Sequence, residues 1–207
     1  MATDREKQSA QILLDVDGVF ANFNETFRLL LNEHGAEVPG PFDHQVSPKV
    51  WEWPLDLVAS PAITRSAWQQ VGAYPEWWAT LPVLPEITEE VLDMLGALCA
   101  QRNVLFATAR PAENPRYLHA VTREWIETHL KVAHPNLVLS MRPKALLAGV
   151  VNATHLVEDN PAAFPGPILP RSFLVERPYN RDVKVPPAVM RVASTGDALQ
   201  RIVNEVL

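Results

Sequence analysis

The stretch QILLDVDGVFANF, residues 11–23, constrains the fold more than any other. Three apolar residues, Ile12, Leu13 and Leu14, run into Asp15, and a second acid follows at Asp17, just before Gly18. A continuous apolar run, rather than an alternating one, marks a strand buried on both faces of a parallel sheet. Two carboxylates one residue apart at the end of such a strand repel each other, and each loses hydration. A divalent cation at the strand end is the simplest group that offsets this cost.

The rest of the chain fits that start. Residues 21–34 carry Phe23, Phe27, Leu30 and Leu31 at helical spacing, with Gly35 as a stop. TEEVLDMLGALCAQ reads as a helix with acids in its first turn, and NVLFATAR as a strand. A helix over 115–130, a strand at NLVLS, a short helix at PKALLAGVV, strands at THLVED and RSFLVE, and a closing helix at STGDALQRIVNEVL follow. This alternation implies an α/β fold: a Rossmann-like, mostly parallel sheet covered by helices on both faces. Residues 36–85, rich in proline and tryptophan, interrupt it, with a short helix expected around SPAITRSAWQQVG. The expected organisation is a core of 10–35 and 86–207, a small helical insertion of 36–85, and a flexible polar tail of 1–9.

Composition narrows the function classes. At 207 residues and 47% apolar content, the chain suits one domain with an inserted subdomain. Its net charge of −6 argues against a groove that tracks a nucleic-acid polymer. Cys99 is its only cysteine, which rules out a disulfide framework and a thiolate zinc site. The six histidines lack metal-ligand spacing. Neither a signal peptide nor an apolar run near 18 residues is seen, so a soluble, cytoplasmic protein with no membrane partner is expected.

In open parallel sheets, reactive groups collect beyond the carboxyl ends of the strands. The first strand ends on Asp15 and Asp17, the second on Thr108 and Arg110, and the fourth on Glu158, Asp159 and Asn160. Lys144 follows the third in MRPKALL. This combination, DVDGV, Thr108, Lys144 and EDN in that order, resembles the haloacid dehalogenase superfamily of phosphotransferases. The resemblance implies Mg²⁺-dependent phosphoryl transfer, with Asp15 as nucleophile and an aspartyl-phosphate intermediate. It implies Asp17 as the acid and base of the two half-reactions. It places Mg²⁺ on Asp15, the backbone carbonyl of Asp17, Asp159 and Glu158. It assigns the phosphoryl oxygens to Thr108, Lys144 and backbone N–H groups near Gly18 and Ala109. Arg110 is expected either on phosphate or on a carboxylate.

A second layer of resemblance covers nearly the whole chain. DVDGVFANF, the aromatic-rich insertion returning through YPEWWATLPVLPEI, and FLVERPYNR are similar to the cytosolic type C 5′(3′)-deoxyribonucleotidases. EDN stands where that family often has DDR. The resemblance implies a nucleoside monophosphate as substrate, and homodimers are common in the family. A nucleotide site needs an apolar slot in which rings stack on the base. Phe23 is the expected floor, and Trp51, Trp53, Trp77 and Trp78 are candidates for the walls. Alternatives are a sugar or other small-metabolite phosphatase, a polynucleotide 3′-phosphatase, a non-catalytic nucleotide-binding module, and a DxD glycosyltransferase.

Overall fold

The computed structural model describes residues 11–54, 60–165 and 171–207. The expected tail of 1–9 lies outside the described residues. Six strands form one parallel sheet: β1 Gln11–Leu14, β2 Asn103–Thr108, β3 Asn136–Leu139, β4 His155–Glu158, β5 Arg171–Val175 and β6 Val189–Val192. Their order is β3-β2-β1-β4-β5-β6. The helices are α1 Phe23–Glu33, α2 Pro61–Ala73, α3 Glu89–Gln101, α4 Pro115–His129, α5 Lys144–Val150 and α6 Thr195–Val206.

Strand β1 shows why the apolar run is continuous. Ile12 and Leu14 point into a large core with buried side chains from α1, α3, α4 and α6, while Leu13 points into a smaller one with Ala145 and Ala148 of α5. Burial on both faces demands an apolar residue at every position. The chain moves from β1 out to β3 and then crosses back to β4 on the other side of β1. The carboxyl ends of β1 and β4 therefore flank the topological switch point, where such sheets open a crevice. Asp15 and the Glu158–Asp159 pair sit there.

Two boundaries differ from the expectation. Strand β1 ends at Leu14, and β4 at Glu158, so Asp15, Asp17 and Asp159 belong to the turns beyond the ladder. Strand β6 has no counterpart among the expected elements. It is a four-residue edge strand with burial confined to Val189 and Val192, too short and too exposed to show a period.

Residues 36–85 contain α2 and a 3₁₀ turn, Pro75–Thr80. Their buried Val38, Trp53, Ala67, Val71, Trp78 and Leu81 share one hydrophobic cluster with β1 and α4. The indole N–H of Trp125 in α4 donates to Leu81 O at 2.7 Å. At the other end of the segment, Glu25 accepts the Phe42 N–H at 2.6 Å, and Asn32 exchanges two hydrogen bonds with Val38. These bonds return the chain over α1 and bring Trp51 and Trp53 to the crevice.

Candidate active site

The Asp15 N–H still donates to Val157 O of β4 at 3.0 Å, and then the chain leaves the sheet. The N–H groups of Phe20 and Ala21 both converge on Val16 O at 2.9 Å, and the Gly18 N–H donates to Ala21 O at 2.9 Å. This tight coil carries both acids to the crevice. Gly18 has φ +76°, and a Cβ on it would lie 2.0 Å from Asp159 Oδ2 and 2.9 Å from the Tyr179 hydroxyl. Only glycine meets both conditions. The Gly18 N–H is bonded within the coil, and the missing side chain of Gly18 leaves room for Asp159.

Asp15, Glu158 and Asp159 form a buried cluster in which one oxygen of each lies within 4.8 Å of the others. Lys144, the first residue of α5, places Nζ 2.7 Å from Asp15 Oδ2 and 2.8 Å from Glu158 Oε2. Glu158 Oε1 accepts the N–H groups of Asp159 and Asn160 at 3.1 and 3.0 Å. Its buried Oε2 faces the Lys144 ammonium. Asp159 Oδ2 accepts the Tyr179 hydroxyl.

Three carboxylates face one ammonium in a buried cluster. Burial, and then the charge of Glu158, raises Asp15 well above the ordinary carboxylate range. Burial, and then Asp15, pushes Asp159 up to about 6. Burial raises Glu158 in the same direction. Burial works against the charge of Lys144 too, but Asp15 and Glu158 outweigh it and hold the ammonium protonated. Hard oxygen donors and three buried carboxylates gathered on one ammonium together fit a small divalent cation such as Mg²⁺.

Asp17 stands apart from this cluster. Its Oδ2 accepts Thr108 Oγ1 at 2.7 Å and Arg110 Nε at 2.9 Å, and its Oδ1 accepts Arg110 Nη2 at 2.8 Å. The carboxylate option for Arg110 is the one the structure adopts. Its guanidinium is buried against Trp78 and Trp125, 4.7 and 6.0 Å from their ring centroids, and donates to Thr122. Bidentate pairing of this kind fixes orientation as well as charge.

Asp15, Asp17, Gly18, Thr108, Ala109, Lys144 and Asp159 all line one cavity of about 220 Å³. Phe23, Trp51, Trp53, Trp68 and Trp78 line the same cavity. Phe23 stacks on Trp68 and Trp78 with centroids 5.7 and 5.9 Å away. Two aromatic assignments change. Trp77 packs edge-on against Phe23 and Trp78 and is absent from the cavity lining. Trp68, on the exposed side of α2, takes a place in the wall. Helical spacing alone does not show which way that face turns.

Sequence reasoning also missed the roles of the segment after β5. Arg177 Nε donates to Gly18 O at 2.8 Å, and its two terminal nitrogens grip Glu86 at 2.9 and 3.0 Å. Asn180, fully buried, donates to Asp159 O at 2.7 Å and to Val175 O at 2.9 Å. Tyr179 lines the cavity and supports Asp159. The signal was present in RPYN, but only the tertiary contacts say what each residue holds.

Comparison with known proteins agrees with this geometry. The family model described as 5′ nucleotidase, deoxy (Pyrimidine), cytosolic type C protein matches residues 8–206. No curated protein matches. Among solved structures, a haloacid dehalogenase-like hydrolase from Burkholderia xenovorans LB400 has a TM-score of 0.56 at 16% identity, covering 97% of this chain and 99% of its own. A haloacid dehalogenase-like family hydrolase from Xanthomonas campestris has a TM-score of 0.52 at 10% identity, covering 96% and 97%. CbbY from Rhodobacter sphaeroides, in complex with phosphate, has a TM-score of 0.50 at 16% identity, covering 91% and 96%. At these identities the likeness establishes a haloacid dehalogenase-like fold, and the family follows from the match over residues 8–206: the chain belongs to the cytosolic type C 5′-nucleotidase family.

Proposed function

We propose that the protein is a Mg²⁺-dependent phosphomonoesterase acting on nucleoside monophosphates through an aspartyl phosphate on Asp15. The observation that carries this reading is a single cavity lined both by Asp15, Asp17, Thr108, Lys144 and Asp159 and by the rings of Phe23, Trp51, Trp53, Trp68 and Trp78. The phosphate of the substrate lies against the acidic residues, and the base stacks among Phe23, Trp51, Trp53, Trp68 and Trp78. Residues 36–85 act as the cap that supplies most of those rings.

Asp15, Asp159 and Glu158 would hold Mg²⁺. Bound there, the cation offsets the repulsion between the Asp15 carboxylate and an incoming phosphate dianion. An Asp15 oxygen attacks phosphorus as the bond to the ester oxygen breaks, and Asp17 delivers a proton to the leaving oxygen. Asp17 then takes a proton from water, whose oxygen attacks phosphorus, breaks the bond to Asp15 and releases inorganic phosphate. Lys144 holds Asp15 in place and carries positive charge to the phosphoryl oxygens. Arg110 keeps the Asp17 carboxylate aimed into the cavity.

A phosphate-release screen over nucleoside monophosphates and sugar phosphates, with and without Mg²⁺, tests the reading. Turnover of nucleotides is expected only with the metal, and Asp15→Asn is expected to abolish it. Near-normal activity in Asp15→Asn rejects the nucleophile, and a preference for sugar phosphates rejects the nucleotide.

A further inference from the structure

A buried hydroxyl in α4 has no part in the chemistry above. Thr122 is wholly buried, on a side of the helix otherwise occupied by Leu118, Val121, Trp125 and Ile126. A hydroxyl in such surroundings costs free energy unless it is hydrogen-bonded. Its partner is Arg110, whose Nη1 donates to Thr122 Oγ1 at 3.1 Å. The other two nitrogens of the same guanidinium grip Asp17, and Trp78 and Trp125 lie against its face. These bonds also decide which oxygen of Asp17 is free. A carboxylate offers about four lone-pair sites. Thr108 Oγ1 and Arg110 Nε fill those of Oδ2, and Arg110 Nη2 fills one on Oδ1. Among the described residues, one site remains, and it is on Oδ1. Asp17 lines the cavity and its side chain is 20% exposed, whereas that of Arg110 is completely covered.

We propose that Thr122 is a positioning residue: through Arg110 it turns Oδ1 of Asp17 toward the leaving oxygen of the substrate. In the first half-reaction an Asp15 oxygen forms its bond to phosphorus as the ester P–O bond breaks. The electron pair of that bond stays on the ester oxygen, which takes the proton from Asp17 Oδ1. The carboxylate left behind remains on the Arg110 fork. Without the Thr122 hydroxyl, Arg110 Nη1 is a buried donor with no partner, which is costly. The fork regains a bond by turning in its plane toward Asp17, the only other side-chain acceptor it meets among the described residues, and that turn re-aims Oδ1. The proposal rests on the phosphomonoesterase reading with Asp17 as the acid. It adds a residue that does not line the cavity.

The test compares two esters that carry the same ring, p-nitrobenzyl phosphate and p-nitrophenyl phosphate, with Mg²⁺ present. The first expels an alkoxide and needs the proton; the second expels a stabilised phenolate and does not. Their kcat/KM values report the steps up to departure of the alcohol, so the later hydrolysis does not enter. Thr122→Val has nearly the same shape as the wild type. It is expected to lower kcat/KM for the benzyl ester by about tenfold or more, part of the roughly 10²–10⁴-fold that a placed acid supplies, and to change that for the phenyl ester by less than about twofold. Thr122→Ser keeps the hydroxyl and is expected to restore the wild-type ratio. Arg110→Lys keeps the charge but loses the fork, and is expected to show the selective loss as well. If Thr122→Val does not fold, Thr122→Ala removes the same hydroxyl and carries the same expectation. A hydroxyl-free variant that keeps the wild-type ratio of the two esters, whether both rates hold or both fall together, overturns the role of Thr122 and leaves the phosphomonoesterase reading standing. If the wild type releases phosphate from neither ester nor from any nucleoside monophosphate, that reading fails and the role of Thr122 falls with it.

Discussion

Gly18→Ala is the most discriminating change, because two independent penalties meet at one atom. The added methyl would sit in a backbone with φ +76°, which costs about 1–2 kcal/mol for a residue with a side chain. It would also lie 2.0 Å from Asp159 Oδ2 and 2.5 Å from its Cγ, so the carboxylate must move. Asp159 is buried and held by the Tyr179 hydroxyl, and losing that bond to a charged acceptor costs about 1.5–3 kcal/mol. The total is about 2.5–5 kcal/mol, which for a domain of this size corresponds to a Tm lowered by on the order of 10 °C. Displacing Asp159 also removes a proposed metal ligand, so the rise in Tm produced by Mg²⁺ should shrink along with turnover. Thermal unfolding with and without MgCl₂, combined with phosphate release, measures both effects. Gly96→Ala is the control: nothing lies within 4 Å of a Cβ there, and in the middle of α3 the substitution should stabilise by about 0.5–1 kcal/mol. A Gly18→Ala protein that melts and responds to Mg²⁺ like the wild type would refute the reasoning.

Two further outcomes are expected. Lys144→Met leaves three buried carboxylates without their cation, and losing one partner of a buried ion pair costs about 3–5 kcal/mol; its Tm in EDTA should fall far below that of the wild type, with Mg²⁺ restoring more of the difference than it adds to the wild type. The raised carboxylates give a pH dependence of definite sign: Asp159 titrates at about 6 in the folded protein, above the range of an exposed aspartate, so its contribution to metal-free stability is fully present below about pH 4 and is lost as pH rises through 6. Asp15 and Glu158 shift in the same direction, so the Tm gain from Mg²⁺ should be larger at pH 8 than at pH 5, and an equal gain at both would count against this cluster as the metal site.

Much of the site was legible before any coordinates. Asp15, Thr108, Lys144 and the Glu158–Asp159 pair are short-range signals: each lies at or just past a strand end, and parallel sheets gather such ends on one edge. The helices were legible for the same reason, since Phe27, Leu30 and Leu31 or Val91, Leu95 and Leu98 repeat at a period set by local geometry. Strand β6 escaped because four residues with only the two end valines buried carry no measurable period. The aromatic wall was only half legible. A tryptophan in sequence announces burial or stacking without saying which, and the exchange of Trp77 for Trp68 was decided by how α2 sits against α1.

The sequence by itself determined the buried strand, the acids at its end and the alternation that makes the sheet parallel, because these depend on neighbours along the chain. Only the tertiary structure decided which cation serves which acid: Lys144 lies 129 positions from Asp15, and Arg110 lies 93 from Asp17. It also decided that Gly18 makes room for Asp159 and that Arg177 and Asn180 brace the crevice. Those are contacts between surfaces brought together by burial, and local chain geometry carries no record of them.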